Sequence, residues 1–472
     1  MPYGIDKKVL KSHVLTALRE WHTVGGSSLS LLEDLLLIKE SAQTDHKVKK
    51  RLNTNSLLIK GIGEMAQQNA EFAELLKNRF IEKVPSKKIA FNKNISIDAV
   101  NRIQRKAINE LSDVIFEYEL QYRREIANKR ESQLPPSQYT KLFGFEEAIE
   151  AVQTQVQNQT LSFVVSVVGM GGMGKTALID FVTRQIIRTF LFHEVIWIRV
   201  TSSPINGRLQ SPELTFEGLI AQIAYQLWPD SAHSLTDKIR HEKVRQSLKE
   251  RPYLIVIDNL EAATDSALLF DYLNDLANPS KFLLTTRIQP PRQSNVFGLT
   301  LEGLSFEQAK ALLKYHAQDI GIDFLDDAEE KDFVDIYEHT GGNPFALRLV
   351  VSMLDTYPLP HILQNLMLSV EGDIQQMYQR IFQQAWNTLS NDAKRLLKAM
   401  PLVSQTGVGP EILSKMINVT EADIWPLISE LKSRSLIESQ GGLSERRYSI
   451  HQLTNTFLQS EIINWEKGAW ST

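Results

Sequence analysis

The 472-residue chain contains no cysteine, which excludes disulfides, thiolate zinc sites and cysteine nucleophiles and fits a reducing compartment. It lacks any apolar run near the roughly 20 residues needed to cross a bilayer. Its first residues, Met-Pro-Tyr-Gly-Ile-Asp-Lys-Lys, lack the apolar core of a secretion signal. A cytoplasmic protein with no membrane partner is expected. No internal repeat is found, so a stacked-repeat architecture is not read. What is present suits several domains: hydrophobic residues make up 43% of a chain too long for one ordinary core, and two to four domains are expected. The net charge of −4 hides an asymmetry, because residues 1–140 hold 23 Lys+Arg against 17 Asp+Glu while the rest holds 29 against 39. A polyanion partner is therefore expected for the front end only.

The most informative stretch is Gly169-Met170-Gly171-Gly172-Met173-Gly174-Lys175-Thr176, which follows the apolar run 163–168 and precedes the helix-like run 177–182. A triphosphate wrapped by backbone N–H groups needs glycines that accept unusual φ and let the main chain come close. In the strand-loop-helix context the pattern G-x-x-x-x-G-K-T reads as a phosphate cradle lined by Gly169, Gly171, Gly172, Met173, Gly174 and Ala177. Lys175 would reach the β- and γ-phosphates, and Thr176 would place its hydroxyl on Mg²⁺.

Residues 8–130 read as helical, with a Gly-Gly-Ser-Ser turn at 25–28. Leu75, Leu76, Arg79 and Phe80 fall on one helix. Ser86 is expected to cap a second, short one carrying Ile89 and Ala90. Asn94 and Ile95 make a turn, and Ser96 caps a third helix that buries Val100, Ile103, Ala107, Ile108 and Leu111. This helix-turn-helix spacing, about 75–115, resembles the promoter-reading region 4 of sigma factors. Nine Lys+Arg lie between Lys77 and Lys106 against two acids, Glu82 and Asp98. If the third helix enters a major groove of double-stranded DNA, Asn101, Arg102 and Arg105 would face bases and phosphates, with Asp98 beside them. The alternative is a three-helix bundle whose solvated basic face docks on protein. A charged helix, 117–130, then meets Gln133-Leu134-Pro135-Pro136-Ser137, where two prolines stiffen a linker spanning 131–140.

From 141 strands and helices alternate. A helix at 148–156 precedes the loop, strands are read at 194–200, 253–258 and 281–285, and a helix at 216–227, an order that argues a parallel sheet in three layers. Asp258 closes an apolar strand, so its carboxylate emerges at the edge where the phosphate loop lies and suits a second role on Mg²⁺. Asn259 stands where many such ATPases have another acid. An amide cannot act as a general base, so unless Glu261 substitutes, hydrolysis is expected to be slow. Arg287, after the next strand, is placed to sense a γ-phosphate bidentately. Ser305 caps a helix through 316, and in Gly341-Gly342-Asn343-Pro344 the glycines end one helix while Pro344 starts another. Pro344 can also lie flat against an adenine ring.

Taken in order, the loop, the Leu-Ile-Val-Ile-Asp-Asn strand, Leu-Leu-Thr-Thr-Arg and Gly-Gly-Asn-Pro-Phe-Ala-Leu resemble the NB-ARC branch of the STAND signalling ATPases over about 140–460. Beside the all-α N-terminal domain (1–130) read above, the resemblance implies an α/β P-loop domain with a parallel sheet (141–300), a helical subdomain (301–375) and a winged helix (376–472). The winged helix would open at Ala385-Trp386-Asn387-Thr388-Leu389-Ser390 and carry its wing around Arg447-Tyr448-Ser449-Ile450-His451. It further implies that His451 binds the β-phosphate of ADP and locks a closed state. Gln452 replaces the acid that usually follows this histidine, and Phe145 an arginine expected near the domain's entry. One charge-assisted contact from His451 is worth about 1.5–3 kcal/mol, whereas moving a switch from 1:99 to 99:1 takes about 5.5 kcal/mol. His451 cannot be the whole lock. The expected behaviour is a slow ATPase acting as a switch, self-associating when ATP-bound, with transcription control or a bacterial defence adaptor as its output. An ordinary turnover ATPase is the third alternative. Family members usually continue into ligand-sensing repeats; none is seen before Thr472, so the expectation is that either the sensor is missing or a separate sensor protein is a further partner.

Overall fold

Apolar residues at helix spacing fold Lys7–Arg19 into a helix that buries Leu10, Val14, Ala17 and Leu18. The computed structural model describes residues 7–22, 32, 35–39, 47–200, 216–260, 266–291, 295–322, 325, 328–367, 382–383, 385–403, 407–434, 436–441, 445–450 and 452–458. The turn at 25–28, Glu261, the expected boundary at 375–376 and His451 lie outside the described residues. Two units emerge, one of Met1–Gln133 with Ile187–Phe190, the other of Leu134–Ile186 with Leu191–Thr472.

In the first unit helices Lys47–Gln68, Ala70–Leu76 and Ile97–Ser132 enclose a core of Leu18, Leu58, Ile62, Met65, Leu76, Phe80, Ile108, Leu111 and Ile115. A smaller cluster of Leu75, Ile89, Ala90 and Val100 seats the short helix Ser86–Asn92 on the long one. Asn94, at φ 52°, turns the chain between them, and Ser96 accepts from the N–H of Ala99 as a cap. Asn and Asp are the residues that tolerate this left-handed backbone. Two expectations are corrected. Ser86 does not cap its helix: Pro85 holds that position and no side chain closes the first turn. The third helix does not stop before 117 but runs for 36 residues, because no glycine or proline interrupts it. Buried Glu119 ties it down, accepting from the N–H groups of Leu36 (2.9 Å) and Leu37 (3.2 Å) and from Arg123 Nε (2.7 Å). A carboxylate at the N-terminus of the short helix Leu36–Lys39 meets the amide donors of its first turn.

The second unit is built on five parallel strands, β1 (Val164–Val168), β2 (Glu194–Arg199), β3 (Tyr253–Asp258), β4 (Lys281–Thr286) and β5 (Val296–Thr300), in the order β2-β3-β4-β1-β5. Helices cover both faces of such a sheet, which is why β1, β3 and β4 are continuous buried runs and not alternating ones. Each fully buried Leu254, Ile255, Val256 or Ile257 contributes about 1.5–3 kcal/mol. The edge strand β5 and the helices Asp237–Glu250 and Ser266–Leu276 were not legible from pattern. Lys281, a cation opening a buried strand, is fully buried. Its ammonium donates to the carbonyls of Gln155 (2.5 Å), Asn158 (2.6 Å) and Ser162 (3.2 Å), and so closes the C-terminus of helix Glu146–Gln157. Burial lowers its pKa to about 8.

Beyond the sheet, helices Phe306–Ile320, Glu330–Thr340, Pro344–Leu354 and Leu359–Met367 precede three more, Asn391–Ala399, Pro410–Ile417 and Glu421–Ser433. An antiparallel hairpin of β6 (Glu438–Gly441) and β7 (Arg446–Ser449) follows, then helix Gln452–Phe457. One apolar cluster runs from Leu304 to Leu458 through all of them. Phe382 links its halves, 5.9 Å from the ring of Phe345 and stacked at 5.2 Å on Phe457. No helix among the described residues is long and apolar enough to cross a membrane.

Candidate functional site

Strand order positions the site. β4 lies between β1 and β3, so the loop leaving β1 and the carboxylate ending β3 are both held by residues of β4. The N–H of Gly169 donates to Thr286 O (3.2 Å), and Thr285 Oγ1 donates to Asp258 Oδ1 (2.8 Å). Gly174, at φ 84°, has the Phe145 ring above it, and a Cβ there would sit 2.7 Å from the ring edge. Only glycine fits. Phe145, found where an arginine was expected, is therefore a packing residue against the loop.

Asp258 is 1% exposed and the hub of the polar network. Thr176 Oγ1 donates to its Oδ1 at 2.7 Å, and Arg199 Nε donates to Oδ2 at 2.8 Å. Arg199 is the residue in register with Asp258 across the β2–β3 pair, so the ion pair follows from strand pairing. Lys175 Nζ donates to the carbonyls of Gly169 (2.7 Å) and Met170 (2.8 Å). Asn259 takes a left-handed φ of 69°, its N–H donating to Thr285 Oγ1 (2.6 Å) and its Nδ2 to Val200 O (3.1 Å). It is thus spent on holding the turn after β3.

A second clamp comes from the turn before helix Pro344–Leu354. Asn343 caps that helix by accepting from the N–H groups of Phe345 and Ala346. Its Nδ2 reaches Gly171 O at 3.0 Å and Met173 Sδ at 3.2 Å, and the N–H of Phe345 donates to Gly172 O at 3.3 Å. Gly342, at φ 67° with Leu304 O 2.3 Å from where a Cβ would be, lets this turn approach. Leading into the loop from the other side, Ser137 and Tyr139 both donate to Asp180 Oδ2 (2.8 and 2.9 Å), and Arg184 pairs with Asp180 and donates to Pro135 O (2.6 Å). Burial, with the Asp180 charge adding, raises the Tyr139 pKa.

These groups surround a cavity of about 210 Å³ lined by Gly171, Gly172, Met173, Gly174, Lys175, Thr176, Ala177, Arg287 and Pro344. Gly169 and Asp258 stand behind them through the bonds above. Arg199, Arg348 and Glu438 also line it, and none of the three was singled out from the sequence. Arg199 and Arg348 left a signal, a cation closing an apolar strand and one a helical turn after Pro344; Glu438 left none. The neighbours of His451, Ser449 and Ile450, reach the same cavity, while His451 itself is outside the described residues. Asn101, Arg102 and Arg105 belong to the other unit, where all three are exposed and Arg105 Nε donates to Asn101 O at 3.4 Å.

Comparison with known proteins places a match to the NB-ARC domain over residues 145–314. The probable disease resistance RPP8-like protein 4 of Arabidopsis thaliana is 26% identical over 205 residues, 43% of this chain and 21% of that protein. An uncharacterized WD repeat-containing protein of Nostoc sp. is 20% identical over 356 residues, 68% of this chain and 27% of that one. The chain thus matches about a fifth to a quarter of the length of these relatives. Among solved structures, a STAND protein with a tetratricopeptide repeat sensor from Pyrococcus horikoshii aligns at TM-score 0.43 and 18% identity, covering 70% of this chain and 44% of that one. That domain match falls on the phosphate loop, the β3 carboxylate and the sheet that joins them, so residues 145–314 of this chain are similar to an NB-ARC domain.

Proposed function

We propose that the chain is a nucleotide switch that holds ADP, exchanges it for ATP and hydrolyses ATP slowly, with its N-terminal helical domain as the output. The observation that carries this is the gathering of Lys175, Thr176, Arg287 and Pro344 on one cavity, with Asn259 beside Asp258. Lys175 would hold the β- and γ-phosphates, Arg287 the γ-phosphate, and Pro344 the base. Thr176 and Asp258 offer a hydroxyl and a carboxylate 2.7 Å apart, hard oxygen donors of the kind Mg²⁺ takes. Such an ion would neutralise phosphate charge. Asn259, an amide engaged with Val200, supplies no base to activate water, which favours holding a nucleotide over turning it over.

The test is the nucleotide content of the purified chain. About one ADP per chain is expected for the wild type and essentially none for Lys175→Ala; equal content in both would refute the cradle. For the output, exposed Asn101, Arg102 and Arg105 beside a capped helix start support reading of double-stranded DNA. Duplex affinity should then fall steeply with salt, since each phosphate contact adds about 0.9 to the log–log slope, and no binding at low salt would reject this output. An adaptor that docks on protein is favoured by one observation, Phe91, 86% exposed beside the same turn. Self-association with ATP and a sensor supplied by another protein belong to this proposal in either form.

A further inference from the structure

Beside the nucleotide cavity lies a larger one of about 440 Å³, and no residue of the phosphate loop lines it. Helix Phe306–Ile320 forms one wall with Leu312, Tyr315, His316, Asp319 and Ile320, the spacing of a single helical face. The entry segment forms another and is pinned to that helix: Thr140 Oγ1 lies 2.8 Å from the Tyr315 hydroxyl. The Lys141 ammonium stands 4.8 Å from the centre of the Phe143 ring and 5.9 Å from that of Tyr315. Lys432, from the last turn of helix Glu421–Ser433, and Arg446, opening β7, complete the lining. Four cations, Lys141, Arg348, Lys432 and Arg446, thus meet two acids, Asp319 and Glu438. Burial pushes the Glu438 carboxyl toward its neutral form, and the charges of Arg348 and Arg199 oppose this only in part. Arg348 is half-buried, yet its guanidinium makes no ion pair or hydrogen bond among the described residues, and the same holds for exposed Lys432 and Arg446. A cleft lined by one sign of charge concentrates counter-ions, and an unspent guanidinium matches the oxygens of a phosphate.

We propose that this cavity is a second ligand site, separate from the nucleotide site, for a small phosphorylated molecule with a hydroxyl-rich body, of the sugar-phosphate class. Its phosphate pairs with Arg348, and Lys432 and Arg446 balance the remaining charge. The hydroxyls of Thr140 and Tyr315, together with Ser439, line the same space, and such groups both donate to and accept from the hydroxyls of a sugar. Lys141 already covers the Phe143 and Tyr315 rings, so the site offers hydrogen-bonding groups more than a ring face on which a nucleobase could stack. The assignment uses no part of the nucleotide reading, although the two cavities share Lys141 and Arg348 on their common wall.

The experiment is equilibrium dialysis of the full chain, with saturating MgADP present, against glucose-6-phosphate and against inorganic phosphate. The wild type is expected to take up glucose-6-phosphate saturably at one per chain, and inorganic phosphate more weakly and in competition with it. Lys432→Ala and Arg446→Ala each remove an exposed, unpaired cation, so the fold is kept and ADP affinity is unchanged. Each should weaken glucose-6-phosphate by about three- to fivefold, the range of one exposed charge contact. Lys175→Ala, which disables the phosphate cradle, should leave that uptake as in the wild type. Absence of saturable uptake of either probe at millimolar concentration would overturn the proposal, as would uptake that neither cation variant weakens. Uptake lost in Lys175→Ala or displaced by excess ADP would overturn it too, making the cavity the outer end of the nucleotide site. Saturation by inorganic phosphate that glucose-6-phosphate does not share would reject the sugar-phosphate class. A wild type that binds no ADP but takes up the sugar phosphate through Arg446 would overturn the nucleotide reading and leave this site standing.

Discussion

Asp258 and Arg199 differ in how far their roles depend on tertiary structure. The aspartate was legible because an acid ending an apolar strand some 80 residues after a phosphate loop has a chemical reason to be there. The arginine was not, because its meaning depends on strand register: only the pairing of β2 with β3 sets Arg199 against Asp258. The ion pair has a measurable consequence. Asp258 is 1% exposed on its side chain and Arg199 22%, so Arg199→Met leaves a buried carboxylate served only by the hydroxyls of Thr176 and Thr285. Breaking such a pair from one side costs about 3 kcal/mol. A divalent cation beside Asp258 would restore the lost charge. The thermal midpoint of Arg199→Met is therefore expected to fall without Mg²⁺ and to recover with millimolar MgCl₂ by more than the wild type gains. An equal gain in both proteins would show that Arg199 and the cation do not share the carboxylate.

Elements were legible where one physical signal dominated. The strands β1, β3 and β4 are unbroken apolar runs because both faces of a parallel sheet are buried, and the reading from pattern placed them to within a residue or two. The edge strand β5 was missed because Val296-Phe297-Gly298-Leu299-Thr300 is only partly buried and has a glycine at its centre, which weakens strand propensity. Helix Ile97–Ser132 was cut in two because the density of charge after Phe116 looked like a new solvent-facing element. The backbone needs a breaker to stop, and there is none. The turn around Asn343 illustrates a partial success. Its glycines and Pro344 were read as a helix boundary, but its grip on Gly171, Gly172 and Met173 follows from tertiary approach and has no local sequence signal. Glu438 belongs to the same class, since nothing in a hairpin sequence says which cavity its first residue will line.

At the scale of the molecule, the cluster from Leu304 to Leu458 makes the stability of the C-terminal half a shared property, and a histidine is buried among the helices that build it. His316 is 6% exposed on helix Phe306–Ile320, with Ser352 Oγ 3.5 Å from its Nε2. Burial lowers its pKa from 6.5 to about 3, and the charges of Arg348 and Lys432 push the same way. The folded chain therefore keeps this imidazole neutral while the unfolded chain protonates it as pH falls below about 6.5. With the folded pKa depressed, the unfolded state binds the extra proton, so stability is full above about pH 6.5 and declines as pH drops toward 3. One such group costs about 1.4 kcal/mol by pH 5.5, and about 1.4 kcal/mol more for each further unit. His316→Gln, which stays neutral throughout, removes that dependence. Urea unfolding at pH 8 and pH 5.5 is expected to show the wild type losing about 1.4 kcal/mol more than the variant between the two conditions. Equal losses would mean that His316 reaches solvent protons in the folded chain, and that the shared core is open where Phe306–Ile320 packs on Pro344–Leu354.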